Sequence, residues 1–394
     1  MLAHSHLRRL VILGSALLAL LALAACDSED EASDESGPYV RILELIPDDP
    51  EVVRGGINMG DLALARELVG VEAPPPGADG TVGQEVIGDY FYSLPSPARQ
   101  ARLMTTIPFA QFITLVSDSL GVNLLESDQW FNLSFQVDAG HPGLNGVIGN
   151  VERDAVQRAI EACDSCDSPA LQEERGEWQI YGWGEDGSVA EPGSGPRFSP
   201  PLYDDLGFGG RIAFKDGTIV RAPSIAPVRA VAGVEAGESL AANEDFRLVA
   251  EHLEDEQALW VNLFPAEGWR LSASADYPDA EALREAGGDF LGPFVTWAYA
   301  QGYDADTERA YNIVVLAHET EEDAERSAEI LPTRLGPAIE AARANPRMGE
   351  FGHDEDSTID VRTEGRILIA TIRGTAEMLG PSNQTFIGLL LASE

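Results

Sequence analysis

The sequence predicts an α+β protein made of two diverged lobes, each a mainly antiparallel sheet with helices packed on one face. The first observation behind this is a repeated order of elements, because a strand, a helix and a hairpin follow one another twice. The second is that short apolar runs are joined by turns containing Gly, which is typical of antiparallel pairing. The third is an apolar content of 44%, enough to form a sizeable core.

The chain begins with a basic segment followed by an apolar one. Arg8 and Arg9 precede a run from Leu10 to Leu23 that only Gly14 and Ser15 interrupt. This run is shorter than the roughly 20 apolar residues that a membrane-spanning helix needs. A basic start, a short apolar segment and small residues at its end are typical of an export signal.

The end of the apolar run is the more specific feature. Leu23-Ala24-Ala25-Cys26 resembles the lipobox of bacterial lipoproteins. In that family the cysteine receives a diacylglyceryl group, the preceding peptide is removed, and the new N-terminus is commonly acylated. The resemblance therefore implies lipidation of Cys26 with fatty acids such as palmitate, and a place on the extracytoplasmic face of a membrane. An ordinary signal peptide cut near Ala25 and a transmembrane anchor are the alternatives.

Beyond the cysteine the chain is strongly acidic. The whole chain carries 66 Asp and Glu against 26 Lys and Arg, a net charge of −40. Such a surface repels phosphate backbones and anionic headgroups, so we expect no nucleic-acid partner and membrane contact only through the lipid. Asp27 to Gly37 is rich in acidic residues and lacks apolar ones, which predicts a disordered tether.

These features divide the chain into four segments. They are a signal peptide (1–25), the lipidated cysteine with its tether (26–38), a first lobe (39–255) and a second lobe (256–394).

The first lobe is predicted from capping residues and turn signals. Asp61 is a good N-cap and Gly70 a good C-terminal residue for the helix between them. Asn150 is the expected cap of the next helix. The remaining predictions are helices at 40–46, 109–120, 227–234 and 243–253, strands at 52–59, 130–137 and 143–149, and hairpins at 171–183 and 211–221.

The second lobe repeats this order. Thr320 followed by Asp323 predicts a capping box. Pro332 is expected to break or kink the helix that they start. The remaining predictions are a strand at 258–264, an apolar helix at 290–299, a strand at 311–317 and a hairpin at 359–372.

No known catalytic motif is present in the sequence. His318-Glu319 begins the zinc-binding pattern H-E-x-x-H, but Glu322 occupies the position of the second His. There is no G-x-S-x-G elbow, and Lys215, the only lysine, lies outside any phosphate-binding loop. We therefore predict no cofactor and no metal. A pair of carboxylates acting as a glycosidase stays open, since spacing alone does not exclude it.

Cys163 and Cys166 form a C-x-x-C pair at the end of a predicted helix. Export favours a disulfide between them. Free thiols, a redox pair and a metal site are the alternatives. Flanking Asp164 and Asp167 argue against a redox role, because like charges disfavour a thiolate.

Aromatic residues supply the candidate ligand site. Tyr181 and Trp183 share one face of a predicted strand, which suggests a platform for a sugar ring or a peptide. The alternative is that both pack into the core. The long loop 185–206, rich in Gly, Pro and Ser, and a cleft between the lobes are the expected surroundings of the site.

Together these features predict a lipid-anchored protein of a bacterial cell envelope. It would act as a non-enzymatic binding or assembly module, for solutes or glycans in the more specific version. An envelope hydrolase that uses Asp or Glu residues without a recognisable motif is the alternative.

Overall fold

The computed structural model describes residues 36–75, 82–101, 103, 120–134, 143–162, 170–183, 186, 210–235, 237–266, 289–344 and 357–374. The chain from Pro38 onward forms one compact unit. The predicted signal peptide, Cys26 and the predicted tether up to residue 35 lie outside the described residues.

The described elements alternate between helices and strands. The helices are α1 (Pro38–Glu44), α2 (Pro50–Val53), α3 (Leu62–Val69), α4 (Gln84–Ser93), α5 (Arg153–Glu161), α6 (Ile225–Ala232), α7 (Glu244–Asp255) and α8 (Glu321–Ala344). The strands are β1 (Ile57–Asp61), β2 (Ser127–Ser134), β3 (Gly143–Gly149), β4 (Ala170–Arg175), β5 (Trp178–Trp183), β6 (Gly210–Lys215), β7 (Thr218–Ala222), β8 (Ala258–Pro265), β9 (Phe294–Asp304), β10 (Arg309–His318), β11 (Thr358–Glu364) and β12 (Ile367–Arg373).

All twelve described strands belong to one antiparallel sheet. Their spatial order is β11-β12-β10-β9-β8-β1-β2-β3-β7-β6-β5-β4. The predicted α+β class with mainly antiparallel pairing is therefore confirmed.

The two predicted lobes share this sheet. In the first, β1, β2 and β3 lie side by side. The chain then passes through α5 and the strands β4 to β6 before β7 pairs with β3. In the second, β8, β9 and β10 lie side by side, and β12 pairs with β10 after α8. The halves meet where β1 pairs with β8, with Asn58 opposite Asn262. No gap therefore separates them at the sheet, and the boundary at residues 255 and 256 stays a prediction.

Helices cover both faces of the sheet, where the sequence led us to expect only one. We name the faces after two neighbouring buried residues, Trp130 and Phe131. The Trp130 face packs against α3, α4, α5 and α8. The Phe131 face packs against α1, α2, α6 and α7. Strands buried on both sides explain the near-continuous apolar runs of β10 and β12.

Local signals predicted some elements correctly and others wrongly. The Asp61 carboxylate accepts a hydrogen bond from the Leu64 N–H, and Asp323 pairs with Thr320, so both predicted caps are confirmed. Glu152, not Asn150, precedes α5, and α8 runs unbroken through Pro332.

Two larger predictions were wrong. The expected helix at 290–299 is largely strand β9, whose residues alternate between the faces. The expected strand at 52–59 is the end of α2, a turn and then the start of β1.

The start of the described chain is fixed to the second half of the sheet. The Tyr39 hydroxyl donates a hydrogen bond to the Ala258 carbonyl oxygen at the start of β8. The Glu254 carboxylate of α7 accepts bonds from the backbone N–H groups of Tyr39 and Val40, at 2.8 and 3.0 Å. These contacts hold the first turn of α1 against α7 and the start of β8.

Candidate functional site

A row of polar side chains crosses the centre of the Trp130 face. Its members lie directly opposite one another on adjacent strands, as the pairing registers give. We call this set the amide row, and it consists of Asn262 on β8, Asn58 on β1, Asn132 on β2, Asn145 on β3 and Arg221 on β7. The row therefore spans the junction between the two halves.

Neighbouring amides in the row bind each other. Asn58 Nδ2 donates to Asn262 Oδ1 at 2.7 Å, and Asn132 Nδ2 donates to Asn145 Oδ1 at 2.7 Å. Asn145 is buried, whereas Asn58, Asn132 and Asn262 are partly exposed. The row thus consists of two bonded pairs of amides, in which three of the four side chains are partly exposed.

One hydrogen-bonding group of the row is unsatisfied. Asn58 Oδ1 is buried and has no partner within the described part of the chain. A buried acceptor without a partner costs about 1–3 kcal/mol.

Aromatic rings border the row on the same face. Trp130 and Trp260 lie opposite Gly60 on either side of it. A Cβ atom at Gly60 would lie 2.5 Å from Trp130 Nε1 and 2.7 Å from the Leu259 carbonyl oxygen, so only Gly fits beneath the indole. On the other side of the row, Phe264 stacks on Trp297 with ring centroids 4.8 Å apart.

A second polar cluster on this face is internal to the second half. The Tyr299 hydroxyl and Gln301 Nε2 both donate to Asn312 Oδ1. All three residues are buried. Burial raises the pKa of Tyr299 well above its ordinary value, so the hydroxyl keeps its proton and acts as a donor. This cluster fixes β9 to β10 and is not open to a ligand.

The predicted aromatic platform is corrected by the structure at one of its two residues. Tyr181 is only 4% exposed and stacks on Phe214 with centroids 5.7 Å apart. Tyr181 therefore belongs to the core of the Trp130 face, which was the alternative to an exposed platform. The Trp183 side chain, Cys163 and Cys166 lie outside the described residues, as does the loop 185–206 apart from Asp186.

Among the described residues, two carboxyl groups have raised pKa values, and both have structural roles. Burial raises the pKa of Asp61 and of Glu254, and backbone N–H groups partly oppose this in both cases. Asp61 caps α3, and Glu254 accepts bonds from the first turn of α1. Each carboxylate is therefore held by helix N–H groups, which accounts for its burial without chemistry on a substrate.

His318 is the fully buried titratable group at the end of β10. Its Nδ1 donates to the Pro293 carbonyl oxygen at 2.9 Å, and its ring meets Phe294 edge-on. Burial lowers the pKa of His318, opposed by the Pro293 hydrogen bond and by the nearby Asp323 carboxylate. The imidazole is thus neutral in the folded protein at neutral pH.

Acidification is expected to destabilise the fold through His318. In the unfolded chain this residue takes up a proton near its ordinary pKa of 6.5, whereas the folded state resists protonation. The stability that this group contributes above pH 6.5 is therefore lost progressively as the pH falls from that value toward the lower pKa of the folded state. Urea unfolding of wild type and His318→Gln at several pH values between 7.5 and 5.5 measures the difference. The variant should lose less stability on acidification, and parallel curves would contradict the assignment.

The chain matches no protein-family model, no curated protein and no solved structure. Within the described ranges, no group of three or more His, Cys, Asp and Glu side chains could hold a metal ion. Among the same residues, none of the helices combines the length and the apolar character needed to cross a membrane.

The amide row was not predicted from the sequence, yet a signal for it exists. Each of its four Asn residues lies between apolar or Gly neighbours in a strand, as in Ile57-Asn58-Met59 and Val261-Asn262-Leu263. Asn is depleted in strands, so its recurrence inside apolar strands is informative. Only the pairing register brings the four residues together, because Asn58 and Asn262 are 204 positions apart.

Proposed function

We propose that this protein is a non-enzymatic, lipid-anchored binding module of a bacterial cell envelope, and that the amide row is its ligand site. The observation that supports the binding role is the row itself, because four uncharged amides in register form a repeated set of donors and acceptors. The sequence Leu23-Ala24-Ala25-Cys26 supports the anchor and the extracytoplasmic location.

The position of the row favours binding over a purely structural role. Buried polar groups inside a sheet normally satisfy one another completely. Here the pairs Asn58–Asn262 and Asn132–Asn145 leave the Asn58 Oδ1 acceptor over. Partial exposure of three of the four amides leaves them within reach of a ligand.

A thermal-shift panel tests this proposal. The full chain, purified in detergent, is heated with neutral oligosaccharides, anionic oligosaccharides and short peptides. A ligand at 100 times its Kd stabilises the folded state by about 2.7 kcal/mol, which gives a measurable rise in Tm. We expect one class to raise the Tm of wild type and to lose that effect in Asn132→Leu.

The matched control is Asn150→Leu. Asn150 follows the far end of β3, is exposed, and donates to Glu126 at 2.9 Å outside the row. This variant should keep the ligand-induced shift. If no class shifts the Tm of wild type, or if Asn132→Leu responds like wild type, the amide row is not the ligand site.

A further inference from the structure

We infer that two copies of this chain pair through strand β11, antiparallel and centred on Val361, so that their sheets become continuous. This interface lies apart from the amide row and goes beyond the proposed function. Three properties of β11 support it: an open edge, a regular backbone and a self-complementary order of charges.

The first property is the open edge. β11 stands at the end of the strand order, and among the described strands it pairs with β12 alone. Alternate residues from Thr358 to Glu364 are exposed, and those between them are partly exposed. Ile359 and Val361 pack against the core of the Trp130 face without being fully covered. A further strand can therefore approach this edge from outside.

The hairpin fixes which backbone groups of β11 point outward. Glu364 lies opposite Ile367 across a two-residue turn. The two residues that close such a turn exchange both of their backbone hydrogen bonds, and the direction of these groups alternates along the strand. The N–H and C=O groups of Ile359, Val361 and Thr363 therefore point away from β12. Within the described part of the chain no other backbone group binds them.

The second property is the regular backbone. The pairing of β11 with β12 runs from end to end without a shift of register, and the strand contains no Pro. Edge strands are commonly protected against further pairing by a bulge, by Pro or by being very short. The opposite edge, β4, has such a bulge between Leu171 and Glu173. β11 is therefore the edge of this sheet that suits pairing.

The third property is the order of the charged side chains. Charges on an edge usually oppose pairing, but here an acid and a base lie on either side of Val361. In an antiparallel pair centred on Val361, Asp360 of each copy lies opposite Arg362 of the other. Opposite charges placed directly across from each other stabilise a strand pair. Arg362 also binds Glu256 and Glu364 through Nη2 and Nε, which leaves Nη1 without a partner among the described residues.

Neighbouring registers lack this match. A pair centred on Asp360 would set the two Asp360 carboxylates opposite each other, and one centred on Arg362 would do the same with two guanidinium groups. Both arrangements place like charges together and are disfavoured. Centring on Val361 also lets Ile359, Val361 and Thr363 of both copies form about six hydrogen bonds.

Long-range repulsion from the net charge of −40 opposes any dimer. At physiological ionic strength, charges farther apart than about 8 Å are largely screened, whereas the facing side chains of β11 are in contact. Physiological salt therefore removes more of the repulsion than of the attraction. Since a single strand pair is a small interface, we expect a weak and reversible dimer.

Cysteine cross-linking tests both the interface and its register. The background is the full chain with Cys163→Ser and Cys166→Ser, purified in detergent and oxidised in about 150 mM salt. In the inferred pair the two copies of position 361 have Cα atoms about 5.5 Å apart, which a disulfide can span. The two copies of position 360, or of 362, are diagonal neighbours about 7–8 Å apart. We expect Val361→Cys to give several times more cross-linked dimer than Asp360→Cys or Arg362→Cys.

Reversing the charges tests whether these side chains control the pairing. Asp360→Arg and Arg362→Asp each place like charges across the interface, so each alone should dimerise roughly tenfold more weakly than wild type. A mixture of the two variants restores both opposite-charge pairs and should dimerise about as well as wild type. Sedimentation velocity measures the dimer, and melting curves check that each variant folds.

Val361→Pro serves if Arg362→Asp does not fold. Proline removes an outward N–H group, and an edge strand tolerates it because the bonds to the inner neighbour stay in place. This variant should keep the melting curve of wild type and lose the dimer.

Each contrary outcome overturns a defined part of the inference. If Val361→Cys cross-links no more than the background, there is no β11 dimer, and the edge is left to a foreign strand. If Asp360→Cys or Arg362→Cys cross-links at least as well as Val361→Cys, the register is wrong. If the mixture of charge variants dimerises no better than either alone, the charges do not control the pairing.

Discussion

Removal of the Cys26 thiol is expected to release the protein almost completely from membranes. Burial of acyl chains contributes about 0.8 kcal/mol per methylene, and two or more chains hold a protein stably on a bilayer. The net charge of −40 offers no attraction to anionic lipids that could replace them. The lipid is therefore the dominant attachment if the proposed anchor is correct.

The experiment replaces residues 1–25 by an ordinary cleavable export signal and Cys26 by Ser. This design avoids an uncleaved apolar segment that would itself hold the chain in the membrane. Fractionation should move the protein from the membrane pellet to the soluble fraction, and incorporation of a clickable fatty acid should disappear. The variant Cys163→Ser with Cys166→Ser removes the other two thiols and should keep both the label and the membrane fraction. A chain without Cys26 that still sediments with membranes would refute the anchor.

Truncation of Trp130 is expected to cost about 3–5 kcal/mol of the free energy of unfolding, the usual range for Trp→Ala in a core. Its side chain is 1% exposed and lies over Gly60 on the neighbouring central strand. No nearby side chain can fill the space from the Gly60 side, because that residue has none. A loss of this size is a large part of the 5–15 kcal/mol that typically stabilises a domain.

Urea unfolding followed by circular dichroism measures this loss. Tyr92→Ala is the matched control, because it also removes an aromatic ring but from a side chain that is 75% exposed. Its effect should stay within about 0.5 kcal/mol. If Trp130→Ala unfolds at nearly the same urea concentration as this control, the packing described for the Trp130 face is wrong.

The hairpin turns and helix caps that depend on neighbouring residues were predicted correctly. Gly176, Gly217 and Gly365 all have positive φ angles, and each lies in a hairpin turn that the sequence predicted. The same holds for the caps at Asp61 and Thr320. In these cases the residues that decide the structure are neighbours in the chain.

Elements buried on both sides were harder to predict. Residues of the segment that forms β9 enter the cores of both faces, so its sequence lacks the alternation that marks a half-exposed strand. The apolar character of residues 290–299 then suggested a helix. Such a run cannot be assigned by periodicity alone, because a buried helix gives the same pattern.

The candidate site could not be predicted because it depends on the order of the strands. β1 lies between β2 and β8, and nothing in the sequence near Asn58 indicates that β8 is its partner. A shift of one residue in either pairing would turn a member of the row to the Phe131 face. The division into two lobes stays a prediction, which rests on the repeated order of elements along the chain.

The pairing of β1 with β8 also has a consequence for proteolysis and for truncated versions of this chain. A cut that separated the halves would leave an unpaired strand edge on each fragment, at Ile57–Asp61 in one and Ala258–Pro265 in the other. Exposed edges flanked by apolar residues recruit foreign strands and promote aggregation or exchange between molecules. In the intact chain neither edge is exposed, because β1 of one half pairs with β8 of the other.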